Sequence, residues 1–251
     1  NLVTACRRAA SRGDAKQAVP LLRTAWAALK LRGPFHVGVD LANDVSGMPQ
    51  LDDASIAIVE LLAGEALEAC GLTGEAYSHF EASRSMAIAA GDRLAAARAE
   101  CNLGELDRFA GRSDDARRHL DAAGAAAREF GDRSLACAVH NALGNMEQLL
   151  GRIDVAQTQF EAALTLAREI GDRHREGAIL GNLGNLCIDR GELDPAISYH
   201  RAALDAARAV GNRRLEGNTL CNLGMLHQMR GRLDEAQTDL ILALAAARDL
   251  G

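Results

Sequence analysis

The sequence predicts an all-α protein, a solenoid of stacked antiparallel helix pairs. Three observations lead there. Gly-Asp-Arg recurs every 40 residues at Gly91-Asp92-Arg93, Gly131-Asp132-Arg133 and Gly171-Asp172-Arg173; it returns as Gly211-Asn212-Arg213 and is marked again by Gly251. A fixed period of this size is the signature of a repeat architecture. Apolar residues make up 48% of the chain and aromatics only 3%; Ala and Leu dominate while Val and Ile are sparse, which suits packed helices rather than strands. Finally, a second series of glycines, Gly71, Gly111, Gly151, Gly191 and Gly231, divides every unit into two halves of helical length.

The unit that begins at Asp132 serves for all. Its first helix is expected from about Arg133 to Leu150, Gly151-Arg152 makes a turn, and the second helix runs from about Asp154 until Gly171 ends it. Glycine in that place suits a left-handed C-cap. Asp92, Asp132, Asp172 and Asn212 follow these glycines as N-caps of the next helix. Within each unit, Gly74, Asp114, Asp154, Asp194 and Asp234 are expected to cap the second helix. Asp194-Pro195 would place proline at the first helical position, where its missing N–H is harmless.

Core positions repeat with the same period. Leu103, Leu143, Leu183 and Leu223 each precede a glycine, and Leu106, Met146, Leu186 and Leu226 follow three residues after the leucine. That spacing puts two apolar side chains on one helical face. A glycine inside a helix is unfavourable by about 0.5–1 kcal/mol relative to Ala, so its recurrence at Gly104, Gly144, Gly184 and Gly224 predicts close approach by the partner helix. That helix carries Ala76, Ala116, Ala156, Ala196 and Ala236 early and Ala87, Ala127, Ala167, Ala207 and Ala247 late. Phe80, Leu120, Phe160, His200 and Leu240 are expected to fill the space between layers.

Gly-Asn-Leu-Gly-Asn at 181–185, with Gly191, Ala196 and Ala203, resembles the tetratricopeptide repeat (TPR). Leu183-Gly184, Ala196 and Ala203 match the family pattern, and Phe160 fills its aromatic slot in one unit. Asp107, Glu147, Cys187 and His227 stand where the family has Tyr, and each unit is six residues longer than the ordinary repeat. This longer form is similar to Pins/rapsyn-type repeats and to the TPR arms of bacterial MalT-like signalling ATPase regulators. The resemblance is strong over 53–251 and weak over 1–33; it implies a right-handed superhelix whose first helices line a concave surface.

Residues 1–50 are read as irregular N-terminal helices, a partial TPR-like unit plus a connecting helix. Gly13-Asp14 with Ala18, Leu22 and Ala25 fits the second half of a unit that ends at Gly33 and carries Trp26. Pro34 could start a helix that reaches about Val45, and Ser46-Gly47-Met48-Pro49 looks like a connection. Residues 51–251 are read as a regular array of about five units.

Several function classes are disfavoured. The formal net charge is −6, no basic run exists and few aromatics could stack on bases, which argues against nucleic acid as a partner of this segment. No apolar run is long enough to span a membrane, and no signal peptide is visible. The chain begins at Asn1 without Met, as a fragment of a longer protein would. Only Lys16 and Lys30 are lysines among 28 basic residues, a bias that points to a GC-rich, bacterial genome. Cys6, Cys70, Cys101, Cys137, Cys187 and Cys221 form no CxxC pair; reduced thiols packed as small hydrophobes fit a cytoplasmic protein, with disulfides or a metal site as the alternative. The seven histidines show no metal-ligand spacing, and no P-loop, GxGxxG or GxSxG motif occurs. The expectation is therefore no catalytic residue, no metal and no cofactor.

The resemblance implies a binding face on the first helices. It maps to Arg98, Asn102, Glu105 and Arg108; then Asn141, Asn145 and Gln148; then Asn182, Asn185 and Asp189; and last Asn218, Asn222, Met225 and Gln228. Asparagine is a poor helix former because it competes for backbone hydrogen bonds, so its repetition here needs a reason. It can grip a peptide backbone with donor and acceptor together, or it can bond neighbouring helices and hold the stack. The leading expectation is a non-catalytic protein- or peptide-binding scaffold, the arm of a larger bacterial signalling protein. An effector-sensing domain that binds a small molecule and an oligomerisation arm are the alternatives.

Overall fold

The structure, a computed structural model, describes residues 1–49 and 51–248. Every regular element among them is an α-helix. The helices are α1 (Leu2–Ser11), α2 (Ala15–Arg32), α3 (His36–Ser46), α4 (Asp53–Ala69), α5 (Thr73–Ala89), α6 (Arg93–Phe109), α7 (Ser113–Phe130), α8 (Arg133–Leu149), α9 (Ile153–Glu169), α10 (Arg173–Asp189), α11 (Leu193–Val210), α12 (Arg213–Met229) and α13 (Leu233–Arg248). From α4 onward, first and second helices alternate with the 40-residue period. Gln50 and Gly251, which mark the expected domain boundary and the last repeat, lie outside the described residues. The chain forms two compact units, Asn1–Leu135 and Ala136–Gly251.

The first helices start as the sequence requires. The side chains of Asp52, Asp92, Asp132, Asp172 and Asn212 accept from the backbone N–H three residues on, at 2.7–3.0 Å. Each bond satisfies one of the donors that a helix start leaves open.

The second helices start differently from expectation. Asp114, Asp154, Asp194 and Asp234 are not N-caps, and neither is Gly74; each is the second residue of its helix. Pro195 is the third residue, not the first. The turn glycine adopts positive φ, +74° at Gly111, and the N–H of the next residue bonds back across the helix end, Arg112 N–H to Asp107 O at 2.8 Å. This Schellman-type closure turns the chain within two residues. The next helix begins at once, with Leu72, Arg112, Arg152 and Glu192 as caps that make no side-chain bond. The displaced aspartates keep a role. They sit in the first turn, where negative charge complements the helix dipole; Asp154 pairs with Arg190 at 2.6 Å and Asp194 pairs with Arg230.

The helix-interior glycines receive a side chain more than a backbone. A Cβ on Gly144 would lie 2.5 Å from the Phe160 ring, one on Gly184 2.7 Å from His200, and one on Gly104 2.8 Å from Leu120. Phe80 and Leu240 fill the same hollow over Gly64 and Gly224. These bulky residues therefore lock each helix pair internally, and Phe80 and Phe160 also pack against the next first helix, beside Leu103 and Leu106 and beside Leu183 and Leu186.

In the first unit, α2, α3 and α4 share a core built from Leu22, Trp26, Leu41, Val45, Val59, Leu62 and Ala66. Trp26 Nε1 donates to Glu65 at 2.7 Å, and its ring covers Gly38. The third helix starts at His36 rather than Pro34. Pro20 lies inside α2, as its sixth residue, a helix-interior proline that the repeat pattern did not anticipate. In the second unit, Phe160, Leu164, Ile179, Leu183 and Leu186 form one core cluster, and Ile197, Leu204, Leu220, Leu223 and Leu226 form another.

Candidate binding face

Within the second unit, three first helices place their asparagines in bonding range. Asn182 Nδ2 on α10 donates to Asn141 Oδ1 on α8 at 2.9 Å. One repeat further, Asn222 Nδ2 on α12 donates to Asn185 Oδ1 at 3.2 Å. Gln148 Nε2 reaches Asp189 at 2.6 Å. All four asparagines are half-buried. Each pair uses one donor and one acceptor, so Asn182 and Asn222 keep a carbonyl oxygen, and Asn141 and Asn185 keep an amide N–H₂, for another partner. Asn145 is also half-buried on α8, while Asn218, Met225 and Gln228 are exposed on α12.

Sequence reasoning missed two neighbours on that face. Met229 is 58% exposed one turn beyond Met225, and Cys221 is an exposed free thiol next to Asn222. The signal was present in the spacing: 218, 221, 222, 225 and 229 follow the three- and four-residue steps that share a helix face.

The first unit presents a charged counterpart on α6. Arg98 pairs with Asp132 at 2.8 Å, and Arg108 with Glu105 at 2.8 Å. The Arg108 guanidinium also lies 4.0 Å from the centre of the exposed Phe109 ring, a cation–π arrangement. Asn102 is half-buried beside them. Burial alone would raise the Asp132 carboxyl, but the Leu135 N–H and Arg98 outweigh it and hold it below the ordinary carboxylate value. Asp132 thus caps α8 and anchors Arg98 as a charged group.

The residues in the family's Tyr slot are buried. Asp107 is fully buried, bonds Arg112 at 2.7 Å and lies 3.4 Å from His119 Nε2, while His119 Nδ1 meets Glu100. An acid–histidine–acid chain of this kind resembles catalytic machinery, but Asp107 and His119 are both buried and present no accessible atom to a substrate. Glu147 pairs with Arg152 at 3.2 Å, and His227 Nδ1 with Asp239 at 2.8 Å. At 107, 147 and 227 a polar side chain with a nearby partner replaces the aromatic ring, although Asp107 Oδ2 and His227 Nε2 are buried without a hydrogen-bond partner among the described residues. Among the described residues no group of three or more His, Cys, Asp or Glu is placed to hold a metal, and no helix is long and apolar enough to cross a membrane.

Residues 134–209 and 178–249 match the tetratricopeptide repeat family model. A Rap protein complexed with competence and sporulation factor superposes with a TM-score of 0.75 at 12% identity, over 99% of this chain and 76% of that one. A signal transduction ATPase with numerous domains from Pyrococcus horikoshii, which carries a tetratricopeptide repeat sensor, gives 0.71 at 16% identity over 99% of this chain. This chain spans only 37% of that protein's length. NprR in complex with its cognate peptide NprX gives 0.70 at 12% identity, over 92% of this chain and 67% of that one. No curated protein matches in sequence. Likeness at these identities establishes the fold, an all-α solenoid of helix pairs, and residues 134–249 match the tetratricopeptide repeat.

Proposed function

We propose that this chain is a non-catalytic scaffold that binds an extended peptide or a protein segment through the exposed face of its first helices. The carrying observation is the pairing of Asn182 with Asn141 and of Asn222 with Asn185. Each pair fixes two amides in place and leaves a donor and an acceptor at the surface, the complement of a peptide group. Pre-ordering the amides through mutual bonds lowers the entropy lost when a ligand binds. The structural neighbours complexed with a factor or a peptide are consistent with such a role. We further place the chain in a larger bacterial signalling protein of the cytoplasm, acting without nucleic acid or membrane, with residues 1–50 as an irregular start to the array.

The test is binding by variants. Charge reversal at Arg98 or Arg108, and separately Asn182→Ala with Asn185→Ala, should weaken capture of peptides selected from a random library by about tenfold, the loss of one or two directed hydrogen bonds. Unchanged affinity in both variants would remove the assignment. A small effector is the second reading, favoured by a depression of about 930 Å³ beside α1 and α3, edged by Arg7, Arg12, Asp40, Asn43 and Asp44. Thermal-shift screening against a broad metabolite panel separates the two; absence of any hit counts against the effector.

A further inference from the structure

The seam between α5 and α6 differs from its counterpart two repeats on, between α9 and α10, at every charged position of that counterpart. There Asp154 pairs with Arg190 at 2.6 Å and Arg190 also donates to Gln157, with Arg152, Asp189 and Glu192 at the adjoining helix ends. Two repeats earlier, Gly74 and Ala110 replace the ion pair, and Tyr77 replaces Gln157. Leu72, Phe109 and Arg112 replace Arg152, Asp189 and Glu192. Where the Arg190 side chain closes its seam, Ala110 leaves a depression of about 380 Å³, lined by Thr73, Gly74, Tyr77, Leu106, Ala110 and Arg112. Leu72 and Phe109, next to Thr73 and Ala110 in the chain, are 46% and 68% exposed. Helices α4 and α7 flank the pair in sequence, so the opening lies within the array rather than at an end of it. An apolar rim around a depression is the character of an association site.

The chemistry of the lining selects the occupant. Among the described residues that line the depression, Arg112 alone is charged. Buried Asp107 accepts from its Nε at 2.7 Å and also takes a terminal nitrogen. The guanidinium lies 5.2 Å from the centre of the Tyr77 ring. Held at both sides, the planar fork is ordered in advance, and its remaining N–H donors suit a carboxylate. A cation would meet Arg112 with no lining acid to offset it. The counterpart seam holds one arginine side chain, so the space admits one extended side chain. We infer that the α5–α6 seam docks an acidic segment of a partner protein, which inserts a glutamate side chain beside Arg112 and rests apolar flanking residues on Leu72 and Phe109. Arginine and aromatic side chains are the usual anchors of such contacts. The site shares no residue with the asparagine face of the first helices.

NMR titration of the isotope-labelled 251-residue chain with the synthetic peptide acetyl-Gly-Leu-Glu-Leu-Gly-amide tests this. The amide signals of Gly74, Ala110 and Arg112 should shift, while those of Asn182 and Asn185 stay in place. A peptide with Gln in place of Glu should bind about tenfold more weakly, the loss of a charge-assisted bond, and one with Lys there should not bind. Gly74→Asp with Ala110→Arg installs the ion pair that the α9–α10 seam already accommodates. That double variant should keep the circular dichroism of wild type and lose the peptide-induced shifts. An unshifted seam, equal affinity for the Gln or Lys peptide, or binding that survives the double variant would each overturn the proposal. So would shifts of the same amides with protein concentration alone, the mark of a second copy in the seam.

Discussion

Asn182 hands one amide proton to Asn141 across two neighbouring first helices, at 2.9 Å. The bond ties α8 to α10 and at the same time orients two amides toward the surface. Its two effects separate in energy. A half-exposed neutral hydrogen bond contributes about 0.5–1.5 kcal/mol, and Asn→Ala in a helix returns up to about 0.7 kcal/mol of propensity. Asn182→Ala should therefore leave the thermal midpoint within a few degrees of wild type by differential scanning calorimetry. A drop above about 10 °C would show that the asparagines serve the stack alone.

Two glycines of α10 should respond to the same substitution with opposite sign. A Cβ at Gly184 would meet the His200 ring, whereas nothing lies within 4 Å of a Cβ at Gly181. Gly184→Ala should destabilise by about 1–3 kcal/mol through overpacking. Gly181→Ala should stabilise by about 0.5–1 kcal/mol, the backbone entropy and propensity that glycine forfeits. Chemical denaturation of the two variants side by side decides the point.

His200 is fully buried and neither ring nitrogen has a hydrogen-bond partner among the described residues. Burial pushes its imidazole down to about 4 from the ordinary 6.5. The unfolded chain then binds a proton between those values and the folded chain does not, so stability must fall as pH drops from 6.5 toward 4. This one group accounts for up to about 3 kcal/mol of that loss. Phe80 and Phe160 occupy the same position in other units, over the same kind of glycine hollow. His200→Phe should raise the thermal midpoint at neutral pH by several degrees and flatten the acid side of the stability profile.

The two series of aspartates should differ as well. Asp172 accepts the Arg175 N–H at 3.0 Å as a true cap, and its replacement by Ala should cost about 1 kcal/mol. Asp154 makes no cap bond, and its side chain is 96% exposed beside Arg190. Asp154→Ala should lower stability less than Asp172→Ala and should become silent at high salt, where exposed pairs are screened. Urea titrations at low and high ionic strength measure both.

Repeat reasoning reached the fold because the period is written in residues with one conformational use. Gly111 and its equivalents must turn the chain, so helix number, order and most ends followed. The second-helix caps were misplaced by two residues because a Schellman closure caps through backbone groups and leaves no side-chain signature at the cap. Interior glycines were legible as close packing, but not that Phe160 or His200 is what approaches. Buried Asp107 and Glu147 were visible as departures from the family pattern, while their partners Arg112 and Arg152, five residues on, were not sought. Residues 34–49 lack the period, so only the glycine and prolines there gave boundaries. The asparagines of the face were legible by position; their mutual bonding required coordinates, because Asn141 and Asn182 are 41 residues apart.

The central claim is that ligands bind on the first-helix face. A photo-crosslinking amino acid placed at exposed Asn218 on α12, or at exposed Ala202 on the opposite kind of helix, tests it most directly. With a random peptide library as probe, the account predicts covalent capture from position 218 and none from 202. Capture from 202 alone would contradict it.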